Sequence, residues 1–170
     1  MATDPTAAGH PPPGRPVRSV LFVCTGNTCR SPLAEAIAKA ALARRLNCRI
    51  AELPARGFVV RSAGVMAMPG DEASLESQAV AREFGADLLT HRSQPVTPEL
   101  LAEATDVIAM TASHAMLLAI QCPGIGPQPR LLCGRDDLPD PIGSDIDIYR
   151  ACATLIRTHV ERLISEWMAP

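Results

Sequence analysis

The sequence predicts an α/β fold, a four-stranded parallel sheet covered by helices on both faces. Short apolar runs of strand length alternate along the chain with segments of helical spacing. Consecutive parallel strands must be joined by right-handed crossovers, which place the helices on the faces of the sheet. No internal repeat divides the 170 residues, a length that suits one domain with a sizeable core.

In the first half of the chain the pattern predicts two strands and two helices. Val20–Val23 is the first buried strand, and apolar residues then recur at helical spacing behind Pro32, which suits a first helical position. Asn47–Arg56 is expected to be a loop. Phe58–Val60 is the second strand, and Asp71–Phe84 is predicted to be helical, with Gly85 as its stop.

The second half continues the alternation. Thr97 begins a helix by its N-cap preference, Asp106–Met110 is the third strand and Ser113–Ile120 is helical. Arg130–Leu132 is the fourth strand, and Ser144 is expected to cap the final helix. One face of that helix carries Tyr149, Cys152, Ile156, Val160, Leu163 and Trp167. These elements fit a flavodoxin-like arrangement with strand order 2-1-3-4, in which ligands bind beyond the carboxyl ends of the strands.

The most informative stretch is Ser19–Pro32, in which a buried strand leads through a tight glycine loop into a helix. This arrangement makes an anion site, because backbone N–H groups converge where the helix dipole is positive. Such a cradle favours the thiolate form of Cys24. Arg30 adds a planar fork of donors for a pair of phosphate oxygens. A thiolate that faces a bound phosphate is a nucleophile facing its electrophile, so the loop predicts a phosphatase site.

The string from Cys24 to Pro32, C-T-G-N-T-C-R-S-P, resembles the low-molecular-weight protein tyrosine phosphatase family, especially its bacterial protein-arginine phosphatase branch. The resemblance implies a cysteine-dependent phosphatase that forms a phosphocysteine, acts on phosphorylated proteins and needs no metal or organic cofactor. The implied phosphate-binding residues are Thr25, Gly26, Asn27, Thr28, Cys29, Arg30 and Ser31.

A general acid is expected opposite the thiolate, because the departing group leaves as an anion unless it is protonated. The family places this acid in an Asp-Pro pair before the last helix, and the resemblance therefore implies Asp140. Asp136 and Asp137 are expected to be solvated turn residues, since neither precedes a proline.

Further residues are expected to support this site. The Ser31 hydroxyl would support the thiolate, and Asn27 would hold the loop in its turn with Ser62 as its hydrogen-bond partner. Met66 lies in the loop after the second strand, which forms one wall of the pocket in the family, although Met66 and Met68 equally suit a role in covering the core. His114 lies near the end of the third strand and could approach the site, but a capping or surface role is expected.

Two positions bear on the choice of substrate. The tyrosine phosphatases of this family usually carry isoleucine where this chain has Thr28, and tyrosines after the Asp-Pro pair. The protein-arginine phosphatases resemble the chain at Thr28 and in the run from Gly143 to Tyr149, but usually carry phenylalanine where this chain has Ile142. Thr28, Ile142 and Met66 are therefore predicted to select the substrate.

Cys29 is predicted to be a redox partner of Cys24. Because the loop curls around the anion, the two sulfurs can approach, and a disulfide would intercept the sulfenic acid before irreversible oxidation. In the alternative, Cys29 is only a packed small hydrophobe. The other cysteines are scattered and match no zinc-site spacing. A working thiolate needs reducing surroundings, which favours a cytoplasmic location.

Composition excludes several classes of partner. The formal net charge is −2 and no basic stripe indicates a nucleic-acid partner. No apolar run approaches the roughly 20 residues needed to cross a membrane.

Residues 1–16 are rich in Pro, Ala and Gly and are predicted to be a disordered tail, followed by a single phosphatase domain over residues 17–170.

Alternative functions of the same loop remain at this point. The chain could be a protein-arginine phosphatase, a general tyrosine phosphatase or a thioredoxin-coupled arsenate reductase. The last needs two further closely spaced cysteines, and Cys122 and Cys133 are eleven residues apart. An inactive binding module is disfavoured because Cys24, Arg30 and Asp140 are all present.

Overall fold

The computed structural model describes residues 18–169, so the predicted tail lies outside the described residues. The four predicted strands are all present and parallel, and their order in the sheet is 2-1-3-4 as predicted. They are β1 (Arg18–Cys24), β2 (Phe58–Gly64), β3 (Asp106–Ala109) and β4 (Arg130–Leu131). The strand β1 is central and pairs with both β2 and β3, so the loop that follows β1 emerges at the middle of the sheet's carboxyl edge.

Five helices connect and cover the strands. They are α1 (Arg30–Arg45), α2 (Leu75–Glu83), α3 (Pro98–Glu103), α4 (Ala112–Gln121) and α5 (Ile146–Trp167). The segment predicted as a loop before β2 contains two short 3₁₀ turns, Ile50–Glu52 and Pro54–Arg56. No helix among residues 18–169 has both the length and the apolar character that a bilayer-spanning segment needs.

Some helix starts differ from the sequence prediction. The helix α1 begins at Arg30, so Pro32 is its third residue rather than its first, and α4 begins at Ala112, one residue before the predicted Ser113. The helix α2 begins at Leu75 rather than Asp71, because the Ser74 hydroxyl accepts the backbone N–H of Ser77 and fixes the first turn there. The helix α5 is capped by Asp145 rather than Ser144. The Asp145 carboxylate accepts the backbone N–H groups of Asp147 and Ile148 in the first turn.

Successive side chains of β1 point to opposite faces of the sheet and pack in two separate core clusters. Phe22 points toward the larger cluster beneath α1 and α5, whereas Leu21 and Val23 point toward the smaller cluster beneath α3 and α4. All three side chains are buried. The sheet is therefore covered on both sides, and β1 is held rigidly where it delivers Cys24 to the carboxyl edge.

Gly64, the last residue of β2, lies directly beneath the loop that follows β1. A Cβ atom at this position would lie 2.4 Å from the carbonyl oxygen of Thr25 and 2.9 Å from the backbone nitrogen of Asn27. Both contacts are far shorter than real Cβ atoms make, so only glycine allows this approach. The amide of the nearby Met66 donates to the Thr25 carbonyl at 3.0 Å, which ties the two loops together.

Candidate active site

The loop between β1 and α1 gathers backbone donors at one point. The N-cap residue of α1 is Cys29, and it makes no side-chain capping hydrogen bond. Among the hydrogen bonds found in residues 18–169, none uses a backbone N–H of residues 25–30 as its donor. The absence of protein acceptors for these groups, at the positive end of the helix dipole, is consistent with the anion site that the sequence predicts.

Asn27 fixes the shape of the loop. Its backbone is left-handed (φ 56°), a conformation that costs a non-glycine residue about 1–2 kcal/mol. Four hydrogen bonds offset that cost. The side-chain amide donates to Ser31 Oγ and Ser62 Oγ at 2.9 Å each, as predicted for Ser62, and Asn27 Oδ1 accepts the backbone N–H of Gln94. The Asn27 carbonyl lies 2.8 Å from His91 Nε2.

Cys24 lies at the floor of the loop, with its side chain buried and its sulfur 2.9 Å from Ser31 Oγ. A thiolate has no proton to give, so the Ser31 hydroxyl is the donor once the sulfur is ionised. The predicted support of the sulfur by Ser31 is therefore present in the geometry.

Arg30 and Asp140 meet across the mouth of the loop, although they are 110 residues apart. Arg30 Nη2 donates to Asp140 Oδ2 at 2.8 Å, and Nη1 donates to the carbonyl of Leu138 at 3.1 Å. The guanidinium is almost fully buried, whereas 44% of the Asp140 side chain is exposed. The Asp-Pro loop thus places a solvent-reachable carboxylate at the same site as Cys24.

A pocket of about 320 Å³ opens above the sulfur. It is lined by Cys24, Thr25, Gly26, Thr28, Cys29, Arg30, Asp140 and Ile142. Two of the three predicted substrate-selecting residues, Thr28 and Ile142, are therefore in its wall. The third, Met66, does not line this pocket and leaves 70% of its surface exposed, so its role stays a prediction.

Cys29 is buried, although it contributes to the lining of the pocket. Its sulfur lies 3.5 Å from the hydroxyl of Tyr149 and 3.6 Å from Ser74 Oγ. Burial, reinforced by the contact with Cys29, raises the pKa of Tyr149 to about 12, so the phenol remains protonated. The chain's one tyrosine therefore packs behind the loop and leaves the pocket without an aromatic wall among the described residues.

His114 has an unexpected place. It is a buried residue in the first turn of α4, not a surface residue, and its Nε2 lies 2.8 Å from Thr25 Oγ1. Its Nδ1 lies 2.9 Å from Thr111 Oγ1. Nor is Asp137 only a solvated turn residue, because it accepts the backbone N–H of Ala112 at 2.7 Å. The loop that carries Asp137 and Asp140 is thereby connected to the start of α4.

Sequence reasoning also missed Glu35, which lies behind the loop. Its carboxylate accepts the Ser62 hydroxyl and pairs with Lys39 one helical turn away. The pattern that could have found Glu35 is its spacing, four residues after Ser31 on the same face of α1. Together with the contacts of Asn27, these bonds form a continuous support beneath the site.

The remaining cysteines lie apart from the pocket. Burial raises the pKa of Cys152 to about 12, and its sulfur lies 3.8 Å from the Pro139 carbonyl. Cys122 belongs to the core cluster beneath α4, whereas Cys133 packs against the opposite cluster. Within residues 18–169, no group of three or more His, Cys, Asp or Glu side chains is placed to hold a metal ion.

Comparison with known proteins gives one consistent family. Residues 19–169 match the family model described as low molecular weight phosphotyrosine protein phosphatase. The chain is 37% identical over 149 residues to a protein-arginine-phosphatase of Geobacillus stearothermophilus, covering 85% of this chain and 92% of that protein.

Solved structures agree with that match. A Cys-to-Ser mutant of the YwlE arginine phosphatase, with a phosphorylated active-site serine, superposes with a TM-score of 0.77 at 33% identity. The alignment covers 87% of this chain and 94% of that one. A low molecular weight protein tyrosine phosphatase from T. tengcongensis gives a TM-score of 0.77 at 34% identity and covers 88% of this chain and 99% of that one.

Proposed function

Because the chain belongs to the low molecular weight phosphotyrosine protein phosphatase family and is therefore a phosphatase, we propose that it hydrolyses phosphoarginine in proteins. The observation that carries the proposal is the pocket wall. It presents Thr28 beside the nucleophile and, among the described residues, no aromatic side chain. The similarity to a protein-arginine-phosphatase over most of both chains supports the same substrate class.

The first chemical step is attack of the Cys24 sulfur on phosphorus. An S–P bond forms and the P–N bond to the guanidine breaks. The backbone N–H groups of residues 25–30 and the Arg30 fork hold the phosphoryl oxygens as charge develops on them. Asp140 gives its proton to the departing nitrogen, so the guanidine does not leave as an anion.

The second step removes the phosphoryl group from sulfur. Asp140, now ionised, accepts a proton from water as that water attacks phosphorus, and the S–P bond breaks to give inorganic phosphate. The Ser31 hydroxyl, 2.9 Å from the Cys24 sulfur, stabilises the departing thiolate by donating to it. Asp140 is protonated again at the end of the cycle, and no redox partner or cofactor enters it.

The polarity of the Thr28 side chain favours phosphoarginine over phosphotyrosine. A phosphoguanidine carries N–H groups close to phosphorus, and leaving them unpaired in a desolvated pocket costs about 1–3 kcal/mol. A threonine hydroxyl can accept one of them. A phenyl ring gains most from flat aromatic neighbours, and Tyr149 is turned away toward Cys29.

Tyrosine phosphatase activity is the second candidate, because a solved tyrosine phosphatase shares the fold as closely as the arginine phosphatase does. Arsenate reduction gains little support. A relay through Cys122 and Cys133 would have to cross the sheet, since the two residues lie in clusters on opposite faces.

The substitution Thr28→Ile tests the assignment. We expect it to lower kcat/KM for a phosphoarginine peptide and to keep or raise kcat/KM for the matching phosphotyrosine peptide. The ratio of the two should change at least tenfold, which corresponds to about 1.4 kcal/mol. Thr28→Val is the matched control, because valine keeps the shape of threonine and removes only the hydroxyl. It separates the loss of polarity from the added bulk of isoleucine.

Two further controls complete this experiment. Cys24→Ser should abolish turnover of both peptides, since a serine hydroxyl ionises poorly in the same cradle. Arsenate with thioredoxin should give no product. An unchanged ratio in Thr28→Ile would contradict the phosphoarginine assignment and favour the tyrosine phosphatase. Residual turnover in Cys24→Ser would contradict the nucleophile itself.

A further inference from the structure

His114 is a buried imidazole that the mechanism above does not use. Only 4% of its surface is exposed, and both ring nitrogens have threonine partners: Thr25 Oγ1 at 2.8 Å and Thr111 Oγ1 at 2.9 Å. Burial, together with the smaller effect of the Arg30 guanidinium, lowers the pKa of His114 to about 4 against the opposing carboxylates of Asp140 and Asp137. The ring is therefore neutral near pH 7, with one N–H group and one lone pair.

The hydrogen-bond partners favour one position for the ring proton. Thr111 is the N-cap residue of α4, and its Oγ1 accepts the backbone N–H of His114 at 3.3 Å. If Nδ1 also donated to this oxygen, the Thr111 hydroxyl proton would have no acceptor among the described residues, so we assign Nδ1 as the acceptor of that proton. The proton of the neutral ring then lies on Nε2 and is donated to Thr25 Oγ1. This assignment satisfies the ring and both hydroxyl groups at once.

The consequence falls on Thr25, which lies next to Cys24 and lines the pocket. Its oxygen accepts from His114, so its own hydroxyl proton is free to be donated into the pocket. The backbone of Thr25 is held as well, because its carbonyl accepts the Met66 amide at 3.0 Å. Side chain and backbone are thus both oriented before a ligand arrives, which is the condition for effective electrostatic stabilisation.

We propose that His114 is a positioning residue, which holds the Thr25 hydroxyl as an oriented hydrogen-bond donor to a phosphoryl oxygen in the pocket. The inference rests on the proposed function, since it assumes that the pocket binds phosphate. It adds a side-chain donor to the backbone donors of the loop. Thr111 is the outer member of this series of hydrogen bonds, because its hydroxyl donates to Nδ1 and leaves the ring proton on Nε2.

Binding of inorganic phosphate to the whole chain, measured by titration calorimetry at pH 7, tests the proposal without relying on turnover. Thr25→Val removes the donor from an exposed side chain, so we expect the fold to persist and the Kd for phosphate to rise about tenfold or more. Thr25→Ser keeps the hydroxyl and should bind nearly as wild type does.

Substitutions of His114 separate positioning from mere packing. His114→Gln places an amide N–H where Nε2 lies and should retain most of the affinity. His114→Asn reaches only the position of Nδ1, so it should weaken phosphate binding as much as Thr25→Val does. If His114 acts through Thr25, the double variant Thr25→Val with His114→Asn should bind no more weakly than Thr25→Val alone.

Each contrary result has a distinct meaning. If wild type bound phosphate and folded Thr25→Val bound it equally tightly, the proposed donor would be overturned, even if His114→Asn did not fold. If the two substitutions each raised the Kd for phosphate and their factors multiplied in the double variant, the positioning role of His114 would be overturned. A wild-type chain that binds no phosphate would contradict the proposed function itself, together with this inference.

Discussion

The substitution Gly64→Ala should impair catalysis by moving the loop that carries the anion site. The added Cβ would lie 2.4 Å from the Thr25 carbonyl oxygen, and real Cβ atoms essentially never come within 3.0 Å. The carbonyl or the strand must therefore shift by at least about 0.6 Å. A misplacement on the order of 1 Å costs roughly 10²-fold in rate. We expect kcat for an activated aryl phosphate to fall about 10- to 100-fold.

Two matched variants show whether the loop itself is responsible. Gly57 precedes the same strand, has left-handed backbone (φ 86°) and has nothing within 4 Å of an added Cβ. Gly57→Ala should lose about 1 kcal/mol of unfolding free energy with no change in kcat. The new Cβ at Gly64 would also contact Ala67 at 2.8 Å, so Ala67→Gly relieves one clash but not the two with the loop backbone.

The double variant Gly64→Ala with Ala67→Gly should therefore stay impaired. Steady-state kinetics and urea unfolding of the four proteins give both quantities. If folded Gly64→Ala retained kcat within twofold of wild type, the inferred dependence of the site on this close approach would be wrong. Recovery of kcat in the double variant would show that the contact with Ala67, not the loop backbone, is the one that matters.

Three further predictions concern other residues of the site. Asp140→Asn should slow phosphoarginine and other poor leaving groups far more than activated aryl phosphates; equal losses, measured as kcat/KM across a leaving-group series, would make Asp140 a positional residue rather than an acid. Peroxide treatment followed by thiol rescue should recover less activity in Cys29→Ala than in wild type, and recovery to the wild-type level would contradict the redox role of Cys29. The pKa of His114 is lowered to about 4 in the folded protein. Between pH 6.5 and pH 4 this side chain therefore takes up a proton in the unfolded chain but not in the folded one, so the free energy of unfolding should decrease as the pH falls. Urea unfolding should show that this one group contributes about 2 kcal/mol to the decrease between pH 7 and pH 5, and the same decrease in folded His114→Asn would contradict it.

The sequence predicted the sheet and the loop well because their signals are local. The runs that became β1, β2 and β3 are apolar and bounded by loop residues, and the string from Cys24 to Ser31 carries its own turn and helix start. Helix ends were less predictable. Asp71–Ala73 could have continued α2, but the Ser74 amide donates to the Thr28 carbonyl at 2.9 Å, a tertiary contact that no local pattern reveals.

The hydrogen bonds of Ser31 and Ser62 were predicted, but the rest of the support beneath the site was not, because it depends on which strands are neighbours. His114 approaches Thr25 only because β3 pairs with β1, which brings the loops after both strands together. The expectation of a surface or capping role followed from the position of His114 at a helix start, where most side chains are solvated. The closeness of Gly64 to the loop likewise depends on the register of β1 and β2, in which Cys24 pairs with Gly64.

The ion pair between Arg30 and Asp140 has a consequence for how ligands enter. Half of the fork that should hold a phosphoryl oxygen is already engaged by a carboxylate at 2.8 Å. Entry of a phosphoryl dianion is therefore an exchange of one anion for another at the Arg30 guanidinium. We therefore expect chloride, which cannot bind the guanidinium through two oxygens, to compete poorly with the Asp140 carboxylate for Arg30.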